Sequence, residues 1–90
     1  MKMRKKLKEQ IKQYLKDYPK EMRKDYHMTQ DAMSERLCMD VRAYKDLEHG
    51  KNTFSLVSFM LLLWELGERK FDVIEDIMYI ISKNKNDSGK

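Results

Sequence analysis

Cysteine, proline and glycine are scarce in this 90-residue chain, which holds one, one and three of them. A lone Cys38 cannot close an internal disulfide, so no disulfide framework supplies stability. The glycines (Gly50, Gly67 and Gly89) stand too far apart for a phosphate-cradling loop. His27, Cys38 and His49 lack zinc-ligand spacing, so no metal, no cofactor and no enzyme chemistry is expected. Long apolar runs are missing too. The most apolar segment, Leu56–Leu66, covers eleven residues and is too short to span a bilayer. Behind the basic start, the stretch from Leu7 to Tyr18 is broken by Lys8, Glu9, Lys12, Lys16 and Asp17, so it is no export signal. A free thiol without an export signal makes the cytoplasm the expected compartment, with no membrane partner.

What is present is charge, at 38% of residues, together with abundant Lys, Glu, Leu and Met. That composition favours an all-α fold. Ninety residues allow one small domain, expected over 1–82, with a disordered polar tail at 83–90. So small a core is marginal alone, and oligomerisation is the expected source of added stability. The charge is uneven. Residues 1–30 carry ten Lys or Arg against four acids; residues 31–90 carry nine against eleven. The basic part suits an anionic polymer or an anionic surface, or is simply a solvated lysine-rich helix.

Leu7, Ile11, Tyr14, Leu15 and Tyr18 form an amphipathic stripe, which predicts a first helix over about 5–17 that stops before Pro19. Residues 20–27 read as a loop or a short extra turn. From Thr29 to Gly50 the apolar residues Met33, Leu37, Met39, Tyr44 and Leu47 do not fit one continuous helix. They fit two short helices joined by a tight turn at Cys38 and Met39, a helix-turn-helix. Thr29 and Asp40 are the expected N-caps, and Gly50 ends the second of the pair. Ser55 caps a fourth helix at 56–66 that is apolar on nearly every side, with Trp64 expected in the core. Lys70 to Ser82 carries two apolar stripes. One is Phe71, Ile74, Met78 and Ile81; the other is Val73, Ile77 and Ile80. One closes the core. The other, taken as Val73, Ile77 and Ile80, is the expected homodimer face, together with part of the fourth helix. Cys38 is expected to pack as a small apolar residue.

Thr29-Gln30, Met33, Ser34, Leu37, Met39, Tyr44, Leu47 and the run Glu48-His49-Gly50-Lys51 together resemble the Cro and phage-repressor (xenobiotic-response-element, XRE) helix-turn-helix family. Leu56–Leu66 matches its fourth helix, so the likeness covers about forty residues directly. It implies a five-helix domain that binds double-stranded DNA as a homodimer and regulates transcription. Thr29 and Gln30 would hold phosphate at the start of the second helix. The third helix, 41–49, would enter the major groove, with Arg42 reading guanine and Val41 or Ala43 meeting a thymine methyl. Lys45, Lys51 and Asn52 would reach phosphate, and Asp46 also faces the DNA. Members of the family pair a first-helix base with the acid before the terminal glycine. Here that acid is Glu48, and its partner is Arg23, Lys12 or Lys16. Two positions depart from the pattern: Cys38 replaces the turn glycine, and Asp46 stands where a polar or basic group is usual. Residues 31–48 hold five acids and three bases, which favours a second reading. That reading is a protein-interaction module, antitoxin-like or an adaptor, on the same fold.

Overall fold

The computed structural model describes residues 2–88. They form α1 (Lys2–Asp25), α2 (Gln30–Arg36), α3 (Val41–Glu48), α4 (Leu56–Leu66) and α5 (Lys70–Ser88), with a 3₁₀ turn over Gly67–Arg69. There is no strand among them, and the domain is all-α. No helix is long and apolar enough to cross a membrane among the described residues.

α1 corrects the expected stop at Pro19, for the helix runs straight through it. A proline there removes one backbone hydrogen bond and crowds the preceding turn. Contacts beyond the proline outweigh that local cost. Pro19 is itself fully buried, and one turn later Met22 enters the core. α1 packs against α3 and, over a greater length, against α5. Three polar contacts mark the α5 side. Asn84 Nδ2 donates to Gln10 Oε1 at 2.6 Å, and the Tyr14 hydroxyl donates to Asp76 Oδ2 at 2.6 Å. Arg69 lies over the rings of Tyr18 and Tyr26, 5.6 and 5.5 Å from their centroids.

The Asn84 contact accounts for a second correction. Residues 83–88, expected in a disordered tail, continue α5, and Asn84 is buried among them. The remainder of that expected tail, 89–90, lies outside the described residues.

The core gathers residues from all five helices: Leu15 and Met22, Met33, Tyr44 and Leu47, Leu62, Leu63 and Leu66, then Val73 and Ile77. Leu37, just past α2, joins them. Two expectations fail at this level. Val73 is 0% and Ile77 9% exposed, so neither belongs to an outer face, and Ile80 is only half-exposed. The α5 stripe left outside is Phe71, Ile74 and Met78. Trp64 is 79% exposed instead of buried, and Leu56, Val57 and Met60 lie open on the same helix. A domain of this size can bury only one side of α4, so a helix apolar all round keeps a bare face.

Candidate nucleic-acid interface

α2 and α3 pack on each other through Met33, Leu37, Tyr44 and Leu47. Ser34 is buried among them and donates to the Asp31 carbonyl at 2.7 Å. The Thr29 side chain accepts from the Ala32 amide at 3.0 Å, which caps α2. Asp40 occupies the N-cap position of α3, but its side chain makes no capping hydrogen bond, contrary to expectation.

α1, α2 and α3 each end in the same way. His27, Cys38 and Gly50 take φ of 56°, 56° and 77°. In each case that residue's amide bonds a carbonyl three back, and the next amide bonds one five back. The pairs are His27 to Lys24 with Met28 to Arg23, Cys38 to Glu35 with Met39 to Ser34, and Gly50 to Leu47 with Lys51 to Asp46. This is the Schellman arrangement, which satisfies the last helical carbonyls. His27 and Cys38 therefore sit at helix ends. No group of side chains able to hold a metal ion occurs among the described residues. Cys38 is exposed, not packed as a small apolar residue.

The inner side of α3 is fixed by an ion pair. Arg23 Nε donates to Glu48 Oε2 at 2.8 Å and its Nη2 to Oε1 at 3.1 Å, a two-pronged contact. Arg23 Nη1 also donates to the Met28 carbonyl at 3.0 Å. Burial opposes the charged form of Glu48. Hydrogen bonds from Arg23 and Gln30, the nearby Tyr44 hydroxyl and the Arg23 charge outweigh it and hold the carboxyl below its ordinary value. Burial, then the Glu48 charge, pushes the Tyr44 phenol well above its ordinary value. That hydroxyl is buried without a hydrogen-bond partner among the described residues. Of the three bases considered for Glu48, Arg23 is the one that meets it, because α1 continues past Pro19. The Lys16 chain instead lies over Gly50, where its Cδ sits 3.1 Å from the place a Cβ would take.

The outer side of α3 carries Arg42 and Lys45, both exposed, with Asp46 and the flanking Val41 and Ala43 half-exposed. The helical turn brings His49, also exposed, onto the side of Arg42 and Lys45. Its spacing from Arg42 and Lys45 is visible in the chain. Lys51 and Asn52 follow in the exposed loop, and Thr29 is exposed at the start of α2. Gln30 differs from the expectation of a free phosphate ligand: its Nε2 donates inward to Glu48 Oε1 at 3.0 Å. Its amide nitrogen thus supports the Arg23–Glu48 pair. Compared with known protein families, curated proteins and solved structures, the chain matches none.

Proposed function

We propose that this chain is a helix-turn-helix regulator of the Cro/repressor (XRE) type, which binds duplex DNA with α3 in the major groove. The observation that carries this reading is the two-sided character of α3. Tyr44, Leu47 and Glu48 anchor one side, while Arg42 and Lys45 stand free on the other. Arg42 is the base reader, since a guanidinium fork matches guanine O6 and N7. Lys45, Lys51 and Asn52 reach phosphate, as does the Thr29 end of α2. The lysine-rich first half of α1 adds long-range attraction that offsets the acids of α2 and α3.

The reading includes a homodimer through parts of α4 and α5, with a different α5 stripe from the one expected. Leu56, Val57, Met60 and Trp64 on α4, with Phe71, Ile74, Met78 and Tyr79 on α5, are exposed apolar side chains of adjacent helices. A stable interface takes about 800 Å² from each partner. Two-fold symmetry would then match a palindromic operator whose half-sites lie about one helical turn apart.

The same bare stripes, with the inward-turned Gln30, favour the second reading of a protein-interaction module without DNA. A mobility-shift titration on random duplex separates the two. DNA binding by this face weakens steeply as salt rises, because phosphate contacts release counterions. No shifted species at low salt would sink the DNA reading and leave the interaction module.

A further inference from the structure

A cleft of ≈ 170 Å³ opens on the side of α1 that faces α3 and the loop after it. Its apolar wall is Ile11, Leu15, Leu47 and Phe54. Its rim carries Lys8, Lys12 and Lys16, which fall one turn apart on α1, and no carboxylate lines it. The nearest acid contact of these lysines is loose: Lys16 Nζ lies 3.9 Å from the exposed Asp17. An apolar wall under three cations selects a ligand with an apolar body and one negative end. The volume sets the body's size, since a cavity of about 150 Å³ holds one benzene ring.

We infer that this cleft is a binding site for a small aromatic carboxylate, its ring against Leu15, Leu47 and Phe54 and its carboxylate among Lys8, Lys12 and Lys16. The stem of Lys16 passes over Gly50. The site stands without any assumption about DNA. Where α3 and Asn52 also meet DNA, as proposed above, occupancy and DNA binding are linked, each altering the other's affinity by the same factor.

The test is a titration of the full chain with benzoate, and separately with benzyl alcohol, followed by amide chemical shifts in the absence of DNA. Benzoate is expected to give saturable shifts at Ile11, Leu15, Leu47 and Phe54, and to bind about two- to fivefold tighter than the uncharged alcohol. Raising salt should shrink that preference, because the lysines are partly exposed. The double variant Lys12→Gln, Lys16→Gln should lose most of the preference for benzoate over the alcohol, with its helical content checked by circular dichroism. If that variant unfolds, Lys8→Gln, at an exposed position, must still weaken benzoate binding relative to the alcohol. Absence of saturable shifts, equal binding of the two probes to the natural chain, or unchanged benzoate preference in the lysine variants overturns the assignment. A failed titration leaves the mobility-shift result untouched, so the two readings fall separately.

Discussion

Arg23 and Glu48, twenty-five residues apart, meet through two hydrogen bonds of 2.8 and 3.1 Å, and this contact ties the end of α1 to the end of α3. Glu48 has its carboxyl held below the ordinary value of 4.5. A depressed carboxylate stabilises the fold fully above its unfolded value and loses that contribution as pH falls through its lower folded value. Glu48→Gln should therefore cost about 1–3 kcal/mol near neutrality, as expected when a buried acceptor for a charged donor is lost. The gap between variant and natural chain should narrow as pH drops from about 5 toward 3. Denaturant midpoints across that range check it. A gap that stays constant would mean the pair does not carry the acid sensitivity.

Cys38 is a non-glycine residue in the left-handed region, at φ 56°, with an exposed side chain. The conformation costs an ordinary residue roughly 1–2 kcal/mol, part of which glycine regains and part of which it loses through its freer unfolded chain. Cys38→Gly should raise stability by about 1 kcal/mol, or about 4–8 °C in melting temperature for a domain of this size. A lower melting temperature would show that the thiol makes a contact worth more than the strain.

The helix ends were legible where local chemistry decides them. α4 starts after Ser55 and ends at Leu66 as expected, with the Ser55 hydroxyl accepting from the Ser58 amide at 3.1 Å. Thr29 likewise starts α2. What the sequence hid depends on distant partners. Pro19 is a stop signal by its neighbours alone, and only the packing of Met22 and the pairing of Arg23 carry α1 past it. The two stripes of α5 have the same period, so the choice of Val73 and Ile77 over Phe71 and Ile74 for the core rests on where α1 lies. Residues 83–88 lack an apolar pattern, and their order comes with the contact of Asn84 to Gln10. At the candidate interface, the exposure of Arg42 and Lys45 followed from spacing, whereas the inward turn of Gln30 did not.

On the DNA-binding reading proposed above, Arg42 and Leu47 separate recognition from folding on one helix. Arg42 is exposed, so Arg42→Ala should leave thermal stability nearly unchanged. It should relax sequence preference at one base position by about 1–3 kcal/mol. Leu47 is buried, and Leu47→Ala should cost roughly 2–5 kcal/mol as a cavity forms. Selection of bound sequences from a random DNA pool, with parallel melting curves, reads both effects. If the Arg42 variant selects the same sequences as the natural chain, another residue reads the bases, and His49 on the same side is the next to replace.

Trp64 gives the sharpest test of assembly, because its side chain is 79% exposed and the monomer's core does not need it. A homodimer through the bare faces of α4 and α5 should sediment at twice the 10.9 kDa chain mass at high micromolar concentration. A large apolar side chain central to such a face carries a disproportionate share of its energy, so Trp64→Glu should shift the chain to monomer without lowering its helical content. Val73→Glu is the contrasting change. It places a charge at a fully buried core position, and the expected result is loss of the fold itself. A dimeric half-site arrangement further requires that the Trp64 variant bind a palindromic operator more weakly than the natural chain, yet bind an isolated half-site equally well. A natural chain that is monomeric at those concentrations, or a Trp64 variant that keeps the dimer mass, removes this face from the proposal.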